Sequence, residues 1–130
     1  MPNPSRDPER VKLPYFPFWA KDWIAGSVAG MTHEQKGAYV DLLAHQWLMG
    51  ALPTDPHALA LLIRMPYRDF SRAWGVLGLK FEKTEQGLKN MRLEKVRAKA
   101  VKSYQNRCDG AERAREAAKK ADEQETSPSD

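Results

Sequence analysis

The chain has 130 residues, 42% of them hydrophobic and 29% charged, a size that fits one domain with short extensions. No apolar run approaches the length of about 18 residues that a membrane-spanning helix needs. The first residues lack the basic and apolar pattern of a secretory signal, and the single cysteine, Cys108, cannot form a disulfide within the chain. We therefore expect a cytoplasmic protein.

The positive charge is concentrated in one stretch of the chain. Residues 64–107 contain twelve basic and four acidic side chains, a net charge of +8. Residues 1–63 have a net charge of −1 and residues 108–130 a net charge of −3, which gives +4 in total. A basic stretch of this kind predicts a polyanionic partner. The alternative is a solvated helix face that happens to be rich in lysine and arginine.

The first 25 residues contain two different segments. Residues 1–14 hold four prolines and mixed charges, which predicts a flexible arm. Residues 15–25 hold five of the twelve aromatic side chains, and the spacing of Trp19 and Trp23 is that of a short helix. We expect this aromatic segment to pack onto the core, because exposed rings are costly in water. The alternative is that the rings are exposed and stack on nucleic-acid bases.

Three helices are predicted in the middle of the chain. A capping box at Thr32 begins the first, which extends over residues 33–49. The pair Asp55-Pro56 supplies the N-cap and first position of the second helix. Pro66 ends that second helix, because proline cannot continue it smoothly, and a third helix follows at once.

The hydrophobic period then changes from 3.6 to 2. Leu79–Lys83 and Leu88–Met91 alternate apolar and polar residues, which predicts a short hairpin. A long helix is predicted over residues 92–124, with Gly110 as a candidate break, and residues 125–130 are predicted to be a disordered tail. The thin apolar stripe of this helix fits packing on its own domain, a homodimer, or a solvated single helix.

The order of the predicted elements is typical of a winged helix-turn-helix. We predict a mainly α fold with a small β-hairpin: a winged-helix-like domain over 15–91, then the long C-terminal helix. In this fold the third helix enters the major groove of duplex DNA. Nine candidate DNA contacts lie on that helix, the hairpin and the following helix: Arg68, Ser71, Arg72, Lys80, Lys83, Lys89, Arg92, Lys95 and Lys99.

The sequence offers no pattern typical of an enzyme or a metal site. The three histidines are far apart and have no partner at a zinc-binding spacing. A glycine-rich phosphate loop and a nucleophile motif are not found. We therefore expect a non-catalytic protein without cofactor or metal.

Several short motifs over residues 15–55 together resemble a known pattern. They are Pro17-Phe18, Asp22-Trp23, Gly37-Ala38-Tyr39, Leu42-Leu43, Trp47, Gly50, Leu52-Pro53 and Asp55. In this order they are similar to the prophage-encoded YdaU-like family of unknown function, whose members resemble the N-terminal part of phage replication-initiation proteins. The resemblance implies a DNA-binding domain in replication initiation, with a C-terminal segment that contacts a helicase or its loader. The alternatives are a protein-interaction module that docks such a partner, and a phage transcriptional regulator.

Overall fold

The computed structural model describes residues 13–126, with side chains described up to residue 123. The chain divides into two compact units, one over Lys12–Arg97 and a second that includes residues 98–126. No helix in the described part of the chain is long and apolar enough to cross a membrane. The helices are α1 (Ala20–Ala25), α2 (His33–Met49), α3 (Pro56–Leu62), α4 (Tyr67–Leu77) and α5 (Met91–Thr126), and the strands are β1 (Glu82–Thr84) and β2 (Gly87–Lys89).

The structure confirms the coarse prediction of a mainly helical chain with a two-stranded hairpin and a long C-terminal helix. The α2 capping box is also confirmed. The Gln35 amide donates to Thr32 Oγ1 at 3.1 Å, and the Thr32 amide donates to Gln35 Oε1 at 2.9 Å. At the start of α3 the Asp55 carboxylate accepts from the His57 amide at 3.2 Å, as its N-cap position predicts.

The turn between α3 and α4 is a Schellman motif with an unusual residue. The Met65 amide donates to the Ala60 carbonyl at 2.9 Å, and the Arg64 amide donates to the Leu61 carbonyl at 3.2 Å. Arg64 occupies the left-handed position with φ of 57°, where glycine is the usual residue. The motif ends α3, and α4 begins three residues after Arg64, at Tyr67.

The hairpin begins later than the sequence predicted. Gly78–Lys80 forms a 3-10 helix, so the expectation of a strand from Leu79 was wrong. This extra turn leaves Leu79 exposed and directs Phe81 inward, where its ring stacks on Trp74 with centroids 5.9 Å apart. The alternating pattern predicted Leu79 and Phe81 on one buried face, whereas only Phe81 is buried.

A third chain segment pairs with the hairpin, and the sequence did not indicate it. Leu52, between α2 and α3, exchanges two backbone hydrogen bonds of 2.9 Å with Leu88 of β2. Gly87 permits this approach: its φ is +133°, and a Cβ there would lie 2.3 Å from the Leu52 carbonyl oxygen. The hairpin is thereby fixed to the segment between the first two core helices.

A buried polar network fixes the start of α5. Gln46 Nε2 donates to the Asn90 carbonyl at 3.1 Å, and the Asn90 amide donates to Gln46 Oε1 at 2.7 Å. Asn90 Oδ1 caps α5 by accepting from the Leu93 amide at 3.0 Å. Asn90 Nδ2 donates to the Tyr39 hydroxyl and the Lys80 carbonyl, each at 3.0 Å. One side chain thus joins α2, α5 and the segment before the hairpin.

Burial raises the pKa of the Tyr39 hydroxyl above its ordinary value, while the hydrogen bond from Asn90 and the charge of Arg92 act in the opposite direction. The apolar core around this network contains Leu42, Leu59 and Phe70, all fully buried. Removal of apolar side chains such as these from water is the dominant favourable term in folding.

The long C-terminal helix differs from its prediction at its start, at Gly110 and at its end. The long helix starts at Met91 rather than Arg92, and it continues through Gly110, so the candidate break is not present. Residues 125 and 126, predicted to belong to the tail, are helical. The last four residues and residues 1–12 of the predicted arm lie outside the described part of the chain.

Candidate nucleic-acid interface

Helix α4 has one buried face and one exposed face. Phe70, Ala73 and Leu77 are buried against the core. The opposite face contains Arg68, Ser71, Arg72 and Gly75, all exposed. This separation follows from the helical period, because residues at i, i+3, i+4 and i+7 share a face. The structure therefore brings together the three contacts that the sequence predicted for this helix.

The arginines of this face differ in their partners. Arg72 Nη2 lies 2.8 Å from Asp69 Oδ1, one helical turn away, and its side chain is 68% exposed. A surface pair of this kind contributes only about 0–1 kcal/mol, so it leaves Arg72 accessible to a stronger anion. Arg68 is exposed and makes no ion pair with any residue that the structure describes.

Arg64 is a candidate that the sequence reasoning missed. It is exposed, it lies in the turn just before α4, and within the described chain it makes no ion pair. A left-handed backbone costs a non-glycine residue roughly 1–2 kcal/mol. The signal available in the sequence was a basic residue in a short turn before proline, but its backbone conformation required the structure.

The hairpin lysines are not equivalent. Lys83 on β1 is exposed, whereas Lys80 is half-buried in the 3-10 helix. The Lys89 side chain is only 16% exposed, and its Nζ lies 3.7 Å from Glu94 Oε2. Lys89 Nζ also donates to Gln86 Oε1. The structure therefore places Lys89 toward protein partners rather than toward solvent.

The basic residues of α5 also divide into different environments. Arg92 Nη2 donates to Asp22 Oδ2, and its guanidinium lies 5.8 Å from the centre of the Trp19 ring. Lys95 is exposed in the same compact unit. Lys99 is exposed and belongs to the second unit. Arg92 is thus engaged with the aromatic segment.

The aromatic segment packs on the core with only some of its rings. Phe16 lies 5.6 Å from Trp47 between ring centroids, and Trp23 stacks on Tyr39 at 6.3 Å. Trp47 Nε1 donates to the Leu13 carbonyl at 2.6 Å, which ties the start of the segment to α2. A groove of about 80 Å³ lies beside the segment and is lined by its aromatic rings, α2 and the start of α5.

Comparison with known proteins identifies a family but no activity. The sequence profile of a family described as "protein of unknown function (DUF1376)" matches residues 14–98, and the chain belongs to this family. No curated protein and no solved structure shows a significant match to the chain. The matched range contains all of α1 to α4, the hairpin and the start of α5.

Proposed function

We propose that the chain is a non-catalytic duplex-DNA-binding protein in which α4 is the recognition helix. The observation that carries the proposal is the solvent face of α4, where Arg68, Ser71 and Arg72 are exposed on one side of the helix. Arginine binds phosphates and base edges through a planar fork of donors, and a helix of this size fits the major groove.

The arrangement of elements supports a winged helix-turn-helix. The connection from α3 to α4 comprises Ile63–Pro66, a length typical of a helix-turn-helix. The hairpin follows α4 through one 3-10 turn and is joined to Leu52 by two hydrogen bonds. A wing that contacts a phosphate backbone needs this kind of attachment, and Lys83 is the exposed cation that it carries.

The proposed duplex contacts differ from the set predicted by sequence. Lys80 and Lys89 are left out because neither side chain is exposed. Lys99 is left out because it belongs to the second unit, and Arg92 because it lies beside Asp22 and Trp19 of the aromatic segment rather than beside α4. Arg64 is added, because it is an exposed cation beside the N-terminus of α4. The proposed contacts are Arg64, Arg68, Ser71, Arg72 and Lys83, with Lys95 as a supporting cation.

The proposed context is DNA replication initiation of phage or prophage type. It is supported by the resemblance to the YdaU-like family, which covers roughly residues 14–100 and is strongest over residues 15–55. In this context the protein would act by binding DNA and recruiting a replicative helicase or its loader. A transcriptional role would use the same DNA contacts.

The proposal is tested by fluorescence anisotropy with a short labelled duplex of mixed sequence. On a plot of the logarithm of the association constant against the logarithm of the salt concentration, we expect a slope of about −0.9 per neutralised phosphate. The double variant R68A/R72A should bind about a hundredfold more weakly, since each arginine contact contributes about 1–3 kcal/mol. Circular dichroism should show an unchanged fold, because both side chains are exposed.

The matched control is K119A/K120A, which removes two exposed cations from the second unit. This variant should retain most of the duplex affinity. Absence of duplex binding at low salt, or equal loss in both double variants, would contradict the proposal. Salt-insensitive binding of a helicase by a protein that does not bind duplex would favour the docking alternative.

A further inference from the structure

Three rings of the aromatic segment remain in contact with solvent. Tyr15 is 82% exposed, Phe18 is 59% exposed and Trp19 is 47% exposed. Isolated apolar residues on a surface are ordinary, but adjacent exposed rings in one short segment mark an interaction site. The duplex-binding proposal makes no use of these rings.

The exposed rings are held by a segment that is attached to the core. Phe16 and Trp23 of the same segment pack on Trp47 and Tyr39 of α2. The hydrogen bond from Trp47 to the Leu13 carbonyl fixes the segment at its start. Rings presented on a fixed backbone lose little conformational entropy when they bind a flat partner.

The charges around these rings favour an anionic partner. Lys21 and Asp22 are the only charged residues between Leu13 and Ser27. The Asp22 carboxylate is bonded to Arg92, whose guanidinium also lies over the Trp19 ring. The Asp22 carboxylate is thus balanced by Arg92, whose side chain is still 66% exposed, and Lys21 is a second exposed cation in the segment.

We propose that the aromatic segment binds single-stranded nucleic acid by stacking unpaired bases on Tyr15, Phe18 and Trp19. Arg92 and Lys21 would contact the phosphates, and the groove beside Phe18 and Trp19 gives a base edge room to enter. Single-strand binding proteins combine the same two features, stacking rings and cations along the backbone. A duplex cannot use these rings, because its bases are already stacked on one another. This function is separate from duplex binding on α4.

The test compares oligo-dT with an abasic oligonucleotide of equal length, by fluorescence anisotropy. Both carry the same phosphates, but only oligo-dT has bases to stack. We expect oligo-dT to bind tighter than the abasic strand by about tenfold or more, since each stacked base contributes about 1–3 kcal/mol. A parallel titration with oligo-U tests whether RNA binds as well. Preferential binding of either base-containing strand supports the proposal.

The variant Y15S/F18S should lose at least about tenfold in affinity for oligo-dT and should fold normally, because both rings are more than half exposed. The matched control is L61S/L79S, which removes two exposed apolar side chains (80% and 87% exposed) outside the segment. This control should bind oligo-dT as the parent does.

Three outcomes would overturn the single-strand proposal. Equal binding of oligo-dT and the abasic strand would mean that charge alone is responsible. Unchanged affinity of Y15S/F18S would remove these rings from the site. Sedimentation velocity provides the third: if the parent is a dimer and Y15S/F18S a monomer, the rings contact a second copy of the chain. None of these outcomes changes the duplex test on R68A/R72A, so the two proposals fail separately.

Discussion

The cations of α4 and those near the start of α5 have the same charge but different surroundings. Arg68 is exposed without an ion pair to a described residue, and Arg72 is held only by a surface pair with Asp69. Lys89, by contrast, is mostly buried beside Glu94. Arg92 is 66% exposed, but it lies beside Asp22 and over the Trp19 ring of the aromatic segment. A count of basic residues treats the two regions as equal. Burial sets apart Lys89, at the structural joint between β2 and α5, and position sets apart Arg92, so of these cations only those of α4 belong to the proposed duplex interface.

The structural joint depends on neutral polar groups as well as charges. Asn90 caps α5 and joins it to Tyr39 and to the Lys80 carbonyl, while Gln46 holds the Asn90 backbone from α2. Among the described residues, no buried side-chain nitrogen or oxygen is left without a hydrogen bond. A network in which every member is satisfied stabilises one arrangement of the elements that it joins.

The largest expected effect is a loss of stability when Asn90 of the structural joint is replaced. Asn90→Ala removes the α5 cap and leaves the Tyr39 hydroxyl and the Lys80 carbonyl without their donor. We expect the free energy of unfolding to fall by about 3 kcal/mol, as measured by urea denaturation. Well below its melting temperature the variant should still bind duplex DNA. Asn106→Ala, an exposed position within α5, is the control and should change stability very little.

The next effect concerns the turn before α4. Arg64→Gly relieves the left-handed strain and should raise the free energy of unfolding by about 1 kcal/mol. The same change should weaken duplex binding severalfold, because a cation beside α4 is lost. Arg64→Lys keeps both the strain and the charge, so it should resemble the parent in both measurements. A glycine variant that binds duplex as the parent does would exclude Arg64 from the interface.

At Asp69 we expect a smaller change in duplex affinity, and in this case an increase. Asp69→Asn removes a carboxylate from the α4 side of the proposed interface and releases Arg72, so duplex affinity should rise about threefold. Stability should fall slightly, because the carboxylate lies in the first turn of the helix. Asp41→Asn makes the same charge change at an exposed position of α2. An equal gain in both variants would show that only net charge matters.

The smallest expected change in duplex affinity is at Lys89 on β2, which is compared with Lys83 on β1. Lys89→Ala should change duplex affinity by less than about twofold, since its ammonium is directed at Glu94. Lys83→Ala, on the exposed side of β1, should weaken binding severalfold. Titration of both variants with one duplex at one salt concentration makes the comparison. The reverse order would place the DNA contact on β2.

Features of the fold that depend on residues close together in the chain were predictable from sequence. The capping box at Thr32, the Asp55 N-cap and the exposed face of α4 each follow from residues within a few positions of one another. The Leu52 bridge and the bonds of Gln46 to Asn90 join residues far apart in the chain, and no short pattern encodes them.

The candidate site was predictable to the same extent. Helical periodicity placed Arg68, Ser71 and Arg72 together correctly. Periodicity could not predict the acidic partners of Lys89 and Arg92. Asp22 lies 70 positions before Arg92, and Glu94 lies in α5 whereas Lys89 lies in β2. Periodicity reports which way a side chain faces, whereas its availability depends on tertiary partners.

The central claim is that Arg68 and Arg72 of α4, and not Lys89 of β2 and Arg92 of α5, neutralise the phosphates of duplex DNA. The most direct measurement is the salt dependence of duplex binding for the parent, R68A/R72A and K89A/R92A, because each double variant removes two cations. We predict that the slope of R68A/R72A is shallower than that of the parent by about 2, while the slope of K89A/R92A is unchanged. A shallower slope for K89A/R92A with the parental slope for R68A/R72A would contradict the account.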